Sequence, residues 1–107
     1  YTAMTQQANK LVSITEKLLL DHIIRIIDSA GATGYTVTAA EGKGQRTTRS
    51  SRHLVVSGAL EKMKLEVITL DDSVAHAIAD EVARKFFDNF SGIIYMDSID
   101  VLYAHSL

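Results

Sequence analysis

Apolar side chains recur at two different spacings along this chain, and the two spacings predict a mixture of strands and helices. Residues 9–15 (NKLVSIT) contain a short apolar run that is typical of a buried strand. Residues 63–70 (MKLEVITL) alternate apolar and polar side chains, which predicts a strand with one face toward a core. Residues 16–30 and 74–86 carry apolar side chains at helical spacing, so each predicts an amphipathic helix.

The ends of both predicted helices carry capping signals. Thr15 is placed to cap the first helix, and Gly31 follows it at the position where a left-handed glycine commonly ends a helix. Asp71, Asp72 and Ser73 mark the start of the second helix, where acidic side chains interact favourably with the helix dipole. These signals predict the helix boundaries more firmly than the apolar spacing alone.

Three further segments complete the predicted sheet. Residues 35–40 (YTVTAA) and 93–96 (IIYM) favour strands, and residues 100–105 (DVLYAH) predict a short terminal strand. The order β-α-β-β-α-β plus this small strand indicates an α+β ferredoxin-like sandwich, with two helices on one face of an antiparallel sheet. Because apolar residues remain for the uncovered face, we expect a homo-oligomer built through the sheets.

Length and composition fit one soluble domain. The chain has 107 residues, of which 47% are hydrophobic and 22% are charged. We therefore expect a single domain over residues 1–107, with residues 1–8 forming a disordered or tag-derived N-terminus. Neither a membrane span nor a signal peptide is visible in the sequence, so the expected location is the cytoplasm.

A basic segment lies between the second and third predicted strands. Residues 42–53 (GKGQRTTRSSRH) contain four lysines and arginines and no carboxylate, whereas the whole chain has a formal charge of −2. Glycine allows backbone N–H groups to approach an anion, and arginine presents a planar fork to phosphate oxygens. Residues 42–60 exceed an ordinary hairpin connection, which predicts either a functional loop that binds anions or a solvated, mobile tip.

The sequence argues against several classes of function. The chain has no cysteine, and its four histidines are dispersed. His76 and Asp80 have the spacing of a surface pair more often than of a metal site, so we predict no metal centre. No catalytic motif is visible, so we predict that the chain is not an enzyme. The third strand lacks the aromatic residues on which RNA-binding ferredoxin-like domains stack bases, so nucleic acid is not an expected partner.

Six stretches of the sequence carry a family resemblance. They are NKLVSITEK (9–17), GATGYTV (31–37), GKGQRTTRSS (42–51), EVITL (66–70), FSGIIY (90–95) and DVLYAH (100–105). In order and spacing the chain resembles PII-like signal-transduction proteins, specifically the regulator paired with the cyanobacterial sodium-dependent bicarbonate transporter. The resemblance implies a ferredoxin-like PII homotrimer, with residues 42–60 as its T-loop. It also implies binding of cAMP, AMP, ADP or ATP between subunits, with or without a divalent cation and with no obligatory cofactor.

The resemblance also implies which residues bind the nucleotide, and the mixture of cationic and apolar side chains at the loop tip predicts which residues bind a partner. The implied nucleotide-binding residues are Thr36, Lys43, Gly44, Gln45, Arg46, Arg49, Phe90, Gly92 and Ile93. The residues expected to contact a membrane transporter through its cytoplasmic domain are Arg52, His53, Leu54, Val55 and Val56. The implied function is a nucleotide sensor that controls bicarbonate transport in inorganic-carbon acclimation, with reversible association at the membrane through the transporter.

Two alternatives from other classes stay open at this point. One is a trimeric metal-tolerance protein of the same fold, which would need a cluster of metal ligands. The other is a small enzyme of the acylphosphatase type. The resemblance is also incomplete, because conventional PII proteins carry TGxxGDGK before the fourth strand where this chain has NFSG. Binding of magnesium–ATP together with 2-oxoglutarate is therefore not expected.

Overall fold

The computed structural model describes residues 2–32, 34–40 and 61–105, with side chains from residue 5 onward. The described residues form four strands and two helices, with a short 3-10 turn at Lys17–Leu19. In chain order these elements are β1 (Thr2–Glu16), α1 (Leu20–Ser29), β2 (Thr36–Ala39), β3 (Lys62–Thr69), α2 (Asp72–Phe86) and β4 (Gly92–Ala104). The order is β-α-β-β-α-β, as the sequence predicts.

The four strands form one antiparallel sheet in the order β2-β3-β1-β4. β1 is central and pairs with β3 on one side and with β4 on the other. Among the described strands the short β2 pairs with β3 alone, so β2 and β4 form the two edges of the described sheet. This arrangement of an antiparallel sheet and two helices confirms the predicted α+β ferredoxin-like fold.

The helices cover one face of the sheet and bury the core there. Alternate residues of each strand point toward α1 and α2, because successive side chains of a strand point to opposite faces. The buried cluster consists of Leu11, Leu19, Ile23, Ile27, Leu65, Val67, Ile78 and Val82. The intervening residues, among them Val12, Ile14, Ile68, Ile93 and Tyr95, point to the opposite face, which none of the described helices covers.

The caps of the helices follow the sequence prediction at two of three places. Gly31 has a φ of 89° directly after α1, as predicted. Asp71 caps α2 by accepting hydrogen bonds from the Ser73 backbone N–H at 2.9 Å and from the Ser73 hydroxyl at 2.7 Å. The predicted cap at Thr15 is wrong. Thr15 lies inside the sheet, paired with Met63 and with β4, so the strand continues beyond it.

Two predictions about the strands are also wrong. Residues 2–8 are part of β1 rather than disordered, because their backbone pairs with the far half of β4. The pairing runs from Thr2 opposite Ala104 to Ala8 opposite Ile99, with one register shift between Ala3 and Gln6. The segments 93–96 and 100–105 are one continuous strand, because β1 is long enough to pair along the whole of β4.

Candidate functional site

One end of the sheet brings together the end of β2, the start of β3 and the turn before β4. Ala39, Met63, Thr15 and Gly92 form one row across all four strands at this end. Just beyond that row the Ala40 N–H donates to the Lys62 carbonyl at 3.0 Å. The end of β2 and the start of β3, which residues 41–60 connect, both lie at this end, which we call the loop end of the sheet.

Three polar side chains form a chain of hydrogen bonds at the loop end. The Glu16 carboxylate accepts from the Ser91 backbone N–H at 2.8 Å and from the Ser91 hydroxyl at 3.2 Å, both on Oε2. The same hydroxyl accepts a hydrogen bond from the Lys62 ammonium. Glu16 is also the register partner of Lys62, so this chain of bonds joins β1, β3 and the turn before β4.

A second pair of opposite charges lies beside this network. The Lys17 ammonium is 3.3 Å from Glu61, and the Lys17 backbone N–H donates to the Glu61 carbonyl at 2.9 Å. Both side chains are more than half exposed, so the ion pair itself contributes little to stability. Together with Glu16 and Lys62, this pair gives the described residues of the loop end two carboxylates and two ammonium groups. Positive and negative charges are therefore balanced among them.

The turn before β4 is packed tightly against β1. A Cβ at Gly92 would be 2.8 Å from Thr15 Cγ2 and 3.1 Å from both the Ile14 carbonyl oxygen and Phe87 Cε1. Glycine is therefore required there for close packing. The Phe90 N–H donates to the Phe86 carbonyl at 2.9 Å, and the two rings meet edge to face with centroids 6.4 Å apart.

The structure describes four of the nine predicted nucleotide-binding residues. Phe90, Gly92 and Ile93 lie together at the loop end on the β4 edge, whereas Thr36 lies on β2 at the other edge. Thr36 shares a row with Tyr95 and is three residues away from the row of Gly92. Three strand spacings of about 4.8 Å separate the two edges. A single chain therefore does not bring Thr36 into contact with the other three.

The side chains of these residues differ in what they offer a ligand. The Phe90 ring packs against the hydrophobic core, so its contribution to a site would come from its backbone. Ile93 is 55% exposed on the uncovered face of the sheet. The remaining predicted residues lie outside the described part of the chain: Lys43, Gly44, Gln45, Arg46, Arg49, Arg52, His53, Leu54, Val55 and Val56.

No pattern in the sequence marks Glu16, Lys62 or Ser91 as parts of a site. Each is an ordinary polar residue beside a strand end, and only the sheet register brings them together. Ser91 does stand in the short NFSG turn that the family resemblance includes, which is the one signal that could have drawn attention to it.

A separate open groove lies between the two helices. Its volume is about 530 Å³, and its lining includes His22, Arg25, Glu81, Lys85 and Phe86. Glu81 accepts hydrogen bonds from Lys85 at 2.9 Å and from Arg84 at 2.8 Å, and these lower the pKa of its carboxyl group. Much of the positive charge beside the groove is thus already paired.

The described residues contain neither a cluster of metal ligands nor a helix that could span a membrane. Over residues 2–32, 34–40 and 61–105, no three histidine, aspartate or glutamate side chains cluster as metal ligands would. Neither described helix is long and apolar enough to cross a membrane.

Solved structures of similar fold come from several bacteria. A PII-like signalling protein of Thermus thermophilus has a TM-score of 0.74 and 24% identity, covering 92% of each chain. The CPII protein of Thiomonas intermedia, bound to ADP, AMP and bicarbonate, has a TM-score of 0.63 and 20% identity, covering 92% of this chain and 93% of its own. The GlnK–ATP complex of B. subtilis has a TM-score of 0.58 and 19% identity, covering 91% and 85%.

Structures that share less than 25% sequence identity with this chain show a common fold only. The family is assigned from a match to the sequence. Residues 8–105 match the family described as nitrogen regulatory protein P-II. That match includes both helices, nearly all of the sheet and the basic segment. The chain therefore belongs to the PII family.

Proposed function

We propose that this protein is an adenine-nucleotide sensor that forms a homotrimer and binds its ligand in clefts between subunits. Proteins of the PII family are homotrimeric signalling proteins that bind adenine nucleotides. Related structures hold ADP and AMP, or ATP. These structures support AMP, ADP and ATP as ligands of this chain, and cAMP is added from the family resemblance.

The observation that carries this proposal is the position of the predicted residues on opposite edges of the sheet. Thr36 lies on β2, whereas Phe90 precedes β4 and Gly92 is its first residue. A neighbouring copy could bring its β4 edge to the β2 edge of the first chain, so that both groups line one cleft. The uncovered face supports assembly, because Ile93 and Tyr95 expose apolar surface there.

The proposed partner is the cytoplasmic domain of a bicarbonate transporter. Residues 52–56 (RHLVV) combine an arginine and a histidine with three apolar side chains, a mixture suited to anchoring a protein partner. A nucleotide can regulate this docking only if it favours one conformation of residues 42–60 over another. The protein would then work in the cytoplasm and reach the membrane through the transporter.

Calorimetric titration tests the nucleotide proposal. The free protein is titrated with cAMP, AMP, ADP and ATP, with and without magnesium, and GTP serves as the control for the base. We expect micromolar or tighter binding of at least one adenine nucleotide and weaker binding of GTP. Failure of every adenine nucleotide to bind below millimolar concentration would contradict the proposal.

A pull-down with the cytoplasmic domain of the transporter tests the partner separately. The captured amount should depend on which nucleotide is present, with ATP and cAMP as the most informative pair. Equal capture in every nucleotide state would rule out the proposed regulation, even if nucleotides bind. Bicarbonate should be titrated alongside, because it is bound in the Thiomonas structure.

A further inference from the structure

The Glu16 carboxylate accepts hydrogen bonds from donors that are also suited to binding an anionic ligand. A backbone N–H, a hydroxyl and an ammonium group converge on or beside it, and they belong to Ser91 and Lys62. Hydrogen bonds from such donors to an ionised acceptor are shorter and stronger than those between neutral groups. The same three donors would bind a phosphate oxygen equally well, because a phosphate is also an ionised oxygen acceptor.

The hydrogen bonds of this group run in one direction, from Lys62 through Ser91 to Glu16. The Lys62 ammonium can only donate, so Ser91 Oγ accepts from it and turns its own proton toward Glu16. The Ser91 N–H donates to the same carboxylate oxygen. Glu16 therefore neutralises part of the positive charge and satisfies the donors that face this end of the sheet.

We infer that Glu16 is an internal competitor that must leave Ser91 before an anionic group of a ligand can bind there. The inference rests on the proposed function, in which a nucleotide phosphate approaches the loop end. A ligand phosphate would exchange with the carboxylate for the Ser91 N–H and hydroxyl, while Lys62 stays as the counter-charge. Glu16 thereby lowers the affinity of this site for anions, because an anion has to displace the carboxylate before it can bind.

The matched pair of variants is Glu16→Gln and Glu61→Gln. Both remove one negative charge from the loop end, but only Glu16 bonds to Ser91, whereas Glu61 pairs with Lys17. The glutamine of the first variant can still accept from the Ser91 N–H, so the turn keeps a partner. Its bond is weaker because the acceptor is neutral, and displacement becomes easier.

The first arm of the test uses inorganic phosphate and the free protein. The amide resonance of Ser91 is followed by NMR during titration with phosphate, with sodium chloride at matched ionic strength as reference. Removal of one nearby charge at an exposed site corresponds to about a fivefold change in affinity. We therefore expect the midpoint to fall about fivefold in Glu16→Gln and to change less in Glu61→Gln. Equal midpoints in all three proteins, or no response of Ser91, would overturn the inference.

The second arm uses ADP and adenosine in calorimetry. ADP should bind about fivefold more tightly to Glu16→Gln than to the natural sequence, whereas adenosine, which lacks the phosphate, should bind both equally. Weaker or unchanged ADP binding would overturn the competitor role. If neither protein binds ADP but Ser91 responds to phosphate as expected, the nucleotide function fails and the competitor role stands.

A third variant keeps the inference testable if Glu16→Gln does not fold. Lys62→Gln removes the counter-charge that stays in place during the exchange, so its phosphate midpoint should rise about fivefold. An unchanged midpoint in this variant would contradict the inference on its own. Thermal unfolding of each variant shows whether a change in binding accompanies a loss of folded protein.

Discussion

Thr15 Cγ2 lies only 2.8 Å from the position that a Cβ at Gly92 would take. This contact links the end of the central strand to the first residue of β4 at the loop end. The backbone carbonyl of Ile14 and the ring of Phe87 restrict the same space at 3.1 Å. Neither a backbone oxygen nor a packed ring can move away at low cost, so a side chain at this position would overpack the contact.

Gly92→Ala should therefore lower the free energy of unfolding by about 1–3 kcal/mol, the usual cost of overpacking. Gly34→Ala is the matched control, because nothing lies within 4 Å of its ideal Cβ position. We expect that control to be neutral or to gain up to about 1 kcal/mol through a less flexible unfolded chain. Urea denaturation measures both. Equal effects at the two glycines would mean that the contact with Thr15 is unimportant.

Ser13 offers a prediction of the opposite sign. Its hydroxyl is buried and has no hydrogen-bond partner among the described residues. Ser13→Ala removes an unsatisfied polar group, so the free energy of unfolding should stay the same or rise by about 1 kcal/mol. Ser98→Ala, on the same face but exposed, should change it by less than about 0.5 kcal/mol. A marked loss of stability in Ser13→Ala would reveal a partner for the hydroxyl.

The cap of α2 predicts a dependence of stability on pH. The hydrogen bond from the Ser73 hydroxyl, followed by that from the Ser73 N–H, lowers the pKa of Asp71. Because the folded pKa lies below the unfolded value of about 3.9, the stabilisation is complete above the unfolded pKa. It is lost as the pH falls through the folded pKa. Urea denaturation from about pH 7 to about pH 3 should show this loss.

Asp71→Asn tests the assignment, because asparagine keeps the cap without an ionisable group. The difference in stability between the natural protein and this variant should shrink as the pH falls below about 4. Asp88→Asn is the control, since the Asp88 side chain makes no hydrogen bond to another described residue. If both variants show the same pH dependence, the cap is not its source.

The proposed homotrimer places the face of the sheet that the helices leave uncovered in its interface. Ile93 on that face and Leu102 on the helix-bearing face are 55% and 57% exposed. Ile93→Glu should convert the trimer into monomers in size-exclusion chromatography with light scattering, because it would place a charge in the apolar interface. Leu102→Glu should leave the trimer intact. Dissociation in Leu102→Glu alone would place the interface elsewhere.

The arginines of the basic segment are expected to contribute unequally to nucleotide binding. Arg46→Ala should weaken nucleotide binding by about 1.5–3 kcal/mol, the scale of a hydrogen bond to a charged group. Arg52→Ala removes the same charge further along the segment and should weaken binding much less. Calorimetry with ADP compares the two variants. Equal losses would indicate a general electrostatic effect instead of a contact at Arg46.

The fold could be predicted because its signals are local. Alternation over residues 63–70 and the apolar face of residues 74–86 reflect β3 and α2 directly, and Gly31 marks the end of α1. Residues 2–8 escaped prediction because backbone pairing with β4, and not an apolar pattern, holds them in the sheet. The helix cap predicted at Thr15 is wrong because a threonine before a helical pattern can equally be a buried residue of the preceding strand.

The polar network could not be predicted, because it depends on register. Glu16 and Ser91 are 75 positions apart in the chain, and their contact follows from the pairing of Thr15 with Gly92 one residue away. Lys62 joins them only because β3 pairs with β1 so that Lys62 lies opposite Glu16. No short stretch of sequence contains two of these three residues.

The central position of β1 has a consequence for how the protein is made. β1 leaves the ribosome before its two neighbours in the sheet, β3 and β4, which begin only at Lys62 and Gly92. A nascent chain that lacks β4 would keep one side of its middle strand open, with backbone groups ready to pair with another chain. Folding has to wait for contacts between distant parts of the sequence, which slows it. Nascent chains stalled before residue 92 should consequently be the species most in need of a chaperone.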